Sequence, residues 1–179
     1  MADHETSVDH ATSQRIMEER ARVLARPLRA EEPADTLDLV VLTVGPEHYG
    51  IDPRRAHEVR PFADLAPVPG TPPFWAGIVN IRGTLYAVLD LHRFLELPEG
   101  DASEQQKIVV LVSGSNLTIG LLVDAAPGIR RVPVAAVGPP LGGTSEAARR
   151  IVRGVANDLL TVLDVDALLS DPRLKEGSS

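Results

Sequence analysis

The chain has 179 residues and a mass of 19.2 kDa, enough for one medium domain or two small ones sharing an interface. Its 44% hydrophobic content supports a real core, and its 3% aromatic content makes that core aliphatic. A formal charge of -7 argues against a dedicated nucleic-acid or anionic-membrane binder, and the absence of Cys excludes disulfides, thiolate metal sites and a cysteine nucleophile.

Residues 1–12 are polar, carry no basic or apolar signal region, and are expected as a disordered tail. Over 13–35 a helix and linker are expected, with Ser13 as N-cap and Ile16, Met17, Val23, Leu24 and Leu28 on a partly apolar face. Pro27 and Pro33 restrict its continuation. The stretch LDLVVLTV from Leu37 reads as a strand, and HYGI at 48–51 as its return after the turn Gly45-Pro46-Glu47. RRAHEVR at 54–60 is ambiguous between a helical turn and an extended edge. PVPGTPPF at 67–74 is a constrained loop, because its prolines supply no ladder donors.

WAGIVNI and TLYAVLD then form a hairpin, and Asp90 is placed to cap a short helix over HRFLEL. PEGDASEQQ at 98–106 reads as a polar linker. Strands follow at 107–112 and 117–123 around the turn Gly114-Ser115-Asn116, then a short strand at 128–133 and a Gly/Pro-rich loop at 138–145. IVRGVA pairs with LLTVLD, and DVDALL closes the sequence as a short helix behind Asp164. No apolar run reaches the roughly 20 residues needed to span a bilayer, so direct membrane insertion is not expected and a cytoplasmic protein is the plain reading. The pattern is all-β with two small curled sheets or barrels, since the helical stretches are too short to cover a parallel sheet.

Two of these hairpins resemble each other. In 77–90 and again in 154–164 a glycine opens an apolar stretch, an asparagine lies three residues on, and the segment closes on Val-Leu-Asp. The second copy is shorter by three residues and carries Asp158 where the first carries the chemistry of Arg82. Arg82 beside Gly83 is a five-donor anchor on a sharp turn that Asn80 can fix by bonding its own backbone. A solvent-exposed charged turn is the plain alternative.

Catalytic constellations are missing from this pattern. His4 and His10 lie in the tail, and His48, His57 and His92 fall in different elements with no ligand spacing. The aspartates Asp52, Asp90, Asp124, Asp158 and Asp164 suit turn and capping roles. There is no GxSxG, P-loop or GxGxxG. Basic runs at 129–131 and 148–153 leave room for a local positive patch.

Taken together, HYGIDPRRAHEVR at 48–60, PVPGTPPFWAGIVNIRGTLYAVLDL at 67–91, TIGLLVDAAPGIRRV at 118–132 and RGVANDLLTVLDVDALL at 153–169 resemble a CheW-like domain, the adaptor of bacterial chemosensory arrays. The resemblance covers 36–169 and leaves 170–179 as a tail. It implies two intertwined five-stranded SH3-like β-barrels, divided and closed around 98–106, with no catalysis, metal or cofactor. It also implies two partners, the signalling tip of a methyl-accepting chemotaxis receptor and the regulatory domain of a CheA-type histidine kinase, on a receptor array. Carried over by motif, the partner-binding residues are Glu58 after the Y-x-I-x strand, Asn80, Arg82 and Gly83 of the NxRG turn, and Val123 and Asp124 at a second-barrel strand end, where an apolar contact is expected. The chain departs from the pattern at Ala56, at the large Trp75, which is either core or an exposed anchor, and at the short ANDLL tip. Before Thr36 lie eight Asp/Glu against five Lys/Arg, a balance expected to tune which receptors are accepted. The rival readings are a module of the same fold that engages one partner only, and, less favoured, an enzyme.

Overall fold

The strands KIVVLV and TIGLLV bury both faces, which is why they read as unbroken apolar runs rather than as alternations. In the computed structural model, which describes residues 35–98, 105–140 and 146–175, eleven strands form two sheets. They are β1 (Thr36–Val44), β2 (Glu47–Ile51), β3 (Ala56–Pro61), β4 (Trp75–Ile81), β5 (Thr84–Asp90), β6 (Lys107–Val112), β7 (Thr118–Val123), β8 (Ala125–Pro133), β9 (Val137–Gly138), β10 (Val152–Ala156) and β11 (Leu160–Leu163). Three short helices join them: α1 (Leu91–Phe94), α2 (Glu146–Ile151) and α3 (Val165–Leu169). The expected tail over 1–12 and, apart from Asp35, the helix and linker expected over 13–35 lie outside the described residues.

One sheet has six strands in the order β8-β1-β2-β11-β10-β9, and the other has five in the order β3-β6-β7-β5-β4. Neighbours are antiparallel except for β5 with β7 and β11 with β2, which run parallel. The first half of the chain gives β1 and β2 to the six-stranded sheet and β3–β5 to the other. The second half gives β6 and β7 to the five-stranded sheet and β8–β11 to the first. Each sheet therefore contains strands from both halves, and the crossings fall at Asp52–Arg55 and at Asp124. The 98–106 segment lies between α1 and β6, so the strands on either side of it share one sheet.

The repeat noticed in the sequence is a repeat of pairing. Gly50 of β2 lies between Val41 and Val162, and Gly120 of β7 lies between Val110 and Val88. At the openings of the two hairpins, a Cβ on Gly77 would sit 2.5 Å from the Ala66 carbonyl oxygen, and one on Gly154 would sit 2.6 Å from that of Gly138. Both glycines are thus required by the close approach of a neighbouring backbone. Both hairpins then end on an aspartate whose carboxylate caps a helix: Asp90 accepts from the Arg93 N–H at 3.1 Å, and Asp164 from the Ala167 N–H at 2.9 Å.

Packing follows the alternation along each strand. On β6, Val109 and Leu111 enter a core shared by both sheets, while Ile108 and Val110 enter a smaller cluster with Val79, Ile81 and Val88. On β1, Val40, Leu42 and Val44 join the shared core, and Leu39 joins Val132, Leu160 and Val162. Burying each such aliphatic side chain contributes roughly 1.5–3 kcal/mol, so the shared core is the main bond between the sheets.

Several expectations need correction. The sheets hold six and five strands rather than five each, because the two-residue β9 adds a rung beside β10. The short strand expected at 128–133 begins at Ala125, since Pro127 lies on an edge strand, where its missing N–H removes no ladder bond. A helix, α2, which the sequence reading did not anticipate, precedes β10 and takes up Ile151 from the expected strand IVRGVA; it buries Ala148 and Ile151 at helical spacing. Residues after 169, expected as a tail, continue into a 3-10 turn at Pro172–Leu174. Its cap, Asp171, is buried and bonded to Arg173, and the Arg173 guanidinium lies 3.9 Å from the centre of the Phe94 ring.

Candidate functional site

The β4–β5 tip is a two-residue hairpin. Ile81 pairs with Thr84, and the residues between them, Arg82 at φ 51 and Gly83 at φ 87, both have positive φ, as a type I′ turn requires. The Asn80 side-chain oxygen accepts from the Gly83 N–H at 2.8 Å, which locks the turn. Holding a non-glycine residue in this left-handed region costs about 1–2 kcal/mol, so the tip presents Arg82 at some cost to the fold.

Glu58 lies on β3, at the opposite edge of the sheet from β4. The sheet nevertheless curls far enough that Arg82 Nη2 stands 3.3 Å from Glu58 Oε1. Arg60 Nη1 reaches the same oxygen at 3.1 Å. Two guanidiniums thus share one carboxylate, which leaves the corner with one net positive charge. The Arg82 side chain is 78% exposed, so most of its donors face solvent while Glu58 fixes its direction. Beyond the end of β3, Ala66 bridges to Ile78 of β4 through two backbone hydrogen bonds of 2.9 Å, which holds the two edges together.

Four of the six expected site residues, Glu58, Asn80, Arg82 and Gly83, therefore meet at one corner. The other two do not join them. Val123 is buried in the shared core, with only 2% of its surface exposed. Asp124 accepts from the Gly45 N–H at 2.6 Å and donates its own N–H to the Thr43 carbonyl at 2.9 Å, fastening the β1–β2 turn where the chain crosses between sheets. Both residues line a cleft of about 690 Å³, whose rim also carries Phe62, Asp64 and His92. Trp75 is half-buried against the shared core, with its ring 6.1 Å from that of Phe74.

Sequence reasoning missed Arg60, whose role appears only once β3 is known to be extended. It also missed the ion pair between Arg130 of β8 and Asp158 at the β10–β11 tip. The repeat already pointed to Asp158, but no sequence signal marked Arg130 as its partner. Arg131 is held by Asp38 at 2.8 Å and Arg150 by Glu146 at 3.0 Å, so much of the basic clustering is neutralised locally. The hydrogen bond from Arg131 holds the Asp38 carboxyl below the usual range.

Chemistry of another kind finds little support. His48 contacts the Thr43 hydroxyl at 3.3 Å and His92 lies in α1, and among the described residues no group of three or more His, Asp or Glu side chains could hold a metal ion. No helix among the described residues is long and apolar enough to cross a membrane.

The family described as CheW-like domain matches residues 38–173. Protein FrzA of Myxococcus xanthus is 33% identical over 156 residues, which cover 85% of this chain and 94% of that protein. Chemotaxis protein CheW of Bacillus subtilis is 26% identical over 135 residues, covering 73% of this chain and 85% of that one. The crystal structure of scaffolding protein TtCheW from Thermoanaerobacter tengcongensis superposes with a TM-score of 0.67 at 24% identity, covering 78% of this chain and 96% of that one, a likeness of fold.

Proposed function

We propose that this chain, which belongs to the CheW-like domain family and is therefore a non-catalytic adaptor, couples methyl-accepting receptors to a CheA-type histidine kinase. The observation that carries the reading is the Glu58–Arg82 corner. A strained turn presents an exposed guanidinium, and a half-buried carboxylate aims it without consuming its donors. An arginine so held suits a receptor tip that offers carboxylates or carbonyls. The second contact, to the kinase regulatory domain, is assigned to the sheet end where Asp124 borders the 690 Å³ cleft. Each sheet is read as a closed SH3-like barrel: the chain from β3 reaches β4 through Ala66, and the chain from β8 reaches β10 through β9. Stiff barrels transmit a receptor movement rather than absorb it, and array multivalency raises affinity without new contacts. The working place of such an adaptor is a cytoplasmic receptor array.

Mixing the full chain with the kinase regulatory domain and a receptor signalling-tip fragment from the same cell tests this by sedimentation. A ternary complex that loses receptor binding with Arg82→Ala is the expected outcome. Binding to one partner alone would replace the bridge with a one-partner module, and binding to neither would refute the reading.

A further inference from the structure

The two halves of this protein present twin corners of opposite polarity. Val59 of β3 pairs with Val109, and Ile129 of β8 pairs with Val40; each partner lies one residue before the valine that faces a twin glycine, Val110 opposite Gly120 and Val41 opposite Gly50. Val59 and Ile129 are therefore equivalent, and they are 45% and 67% exposed. At the tips, Leu85 and Leu159 stand at the same distance before the capping aspartates Asp90 and Asp164, and they are 68% and 70% exposed. Leu159 holds φ 64, a left-handed conformation like that of Arg82 on the other tip. Each corner also pins its hairpin tip to the far edge of its sheet by an ion pair. In the first the strand carries Glu58 and, one residue past Val59, Arg60, and the tip carries the base Arg82. In the second the strand has Gly128 at the place of Glu58 and Arg130 at the place of Arg60, and the tip carries the acid Asp158, so the charge offered by the tip is reversed.

A partner that recognised only shape and apolar surface would find two docking corners on every molecule. A bridging adaptor needs one, because two receptor tips on one molecule would leave the kinase contact without a fixed orientation. We infer that the reversed Arg130–Asp158 pair is an orientation filter, which admits a receptor tip to the Glu58–Arg82 corner and repels it from the twin. The partner surface this implies presents a carboxylate between apolar side chains. At the first corner that carboxylate meets Arg82; at the second it meets Asp158, and like charges brought together at a contact discriminate by repulsion. This inference rests on the assignment of the first corner to the receptor.

The test separates the two claims. A receptor signalling-tip fragment is titrated calorimetrically into the full chain, into Arg82→Glu, into the reversed pair Arg130→Glu with Asp158→Arg, and into all three changes together. Wild type is expected to take one tip and Arg82→Glu none. The reversed pair is expected to take two tips, the new site being about thirtyfold tighter than the second corner of wild type, which corresponds to about 2 kcal/mol. The triple variant is expected to take one. A reversed pair that still takes one tip, with Arg82→Glu taking none, overturns the filter and leaves the corner assignment intact. An Arg82→Glu protein that binds as wild type does overturns the assignment and the filter with it. Should the reversed pair fail to fold by thermal melt, the neutral pair Arg130→Gln with Asp158→Asn replaces it. A weak second site then supports the filter, and strict single occupancy overturns it.

Discussion

Arg82→Ala should separate coupling from folding. Its side chain is 78% exposed and makes one ion pair, to Glu58 at 3.3 Å. Exposed pairs of this kind contribute about 0.2–1 kcal/mol. Removing Arg82 does not orphan the carboxylate, since Arg60 remains 3.1 Å from the same oxygen. The backbone strain at φ 51 is the same for alanine as for arginine, so it drops out of the comparison. The expected loss is at most about 1 kcal/mol, a fall in Tm of about 2–4 °C for a domain of this size. Arg82→Gly, by contrast, relieves the left-handed strain, and its melt should match or exceed wild type. A double-mutant cycle with Glu58→Ala should give a coupling energy of about 0.2–1 kcal/mol. Circular dichroism melts read the stability, and binding of a receptor tip reads the function. A Tm loss above about 10 °C for Arg82→Ala would show the arginine to be structural and refute this reasoning, as would unchanged receptor binding in a protein that melts normally.

Other consequences can be checked alongside. Gly154→Ala places a methyl 2.6 Å from the Gly138 oxygen and should cost about 1–3 kcal/mol; Gly77→Ala should cost more, because its φ of 142 adds backbone strain, and chemical denaturation ranks the two. At Asp171 burial favours the neutral acid, yet the Arg173 hydrogen bonds prevail and hold the carboxyl below its ordinary value. Its contribution is therefore complete above the unfolded value near pH 4 and is lost as pH falls through the lower folded value. Asp171→Asn should melt lower than wild type at pH 7, with the gap closing towards pH 2. Cutting the backbone between Pro98 and Gln105 should give halves that fold only together, since each sheet draws on both; a cooperative melt from either half alone would contradict the pairing.

Local signals carried much of this fold. The hairpins at 75–90 and 152–163 and the capping roles of Asp90 and Asp164 follow from alternation, turn glycines and carboxylate placement, all of which act over a few residues. Partnership between distant strands was out of reach. Nothing in TIGLLV says that β7 runs parallel to β5, and nothing in EHYGI says that β2 runs parallel to β11. The site divides along the same line. Asn80 fixing the Gly83 turn is local and was legible. Glu58 meeting Arg82 depends on the curl of a whole sheet, and only the family resemblance named both residues. Val123 is ambiguous for the opposite reason: an apolar strand end reads the same whether it meets a partner or the core, and in the fold it packs into the core.

The exchange of strands between halves bears on how an adaptor of this kind can transmit anything. The Glu58–Arg82 corner sits on β3 and the β4–β5 tip, which are bound through β6 and β7 from the other half of the chain. The Arg130–Asp158 corner sits on β8 and the β10–β11 tip, bound in turn through β1 and β2. Moving one corner relative to the other requires either breaking ladder hydrogen bonds or shearing the shared core around Leu42, Leu89, Leu111 and Leu121. Two independently folded barrels on a linker would make the same contacts and lose the fixed angle between them. Asp166 adds to the stiffness by accepting from the Gly114 N–H at 2.8 Å and pairing with Arg55, so that α3, one crossing segment and the β6–β7 turn move as one piece. Rigidity in this protein thus comes from interleaved connectivity, with the charged corners left free to decide what binds.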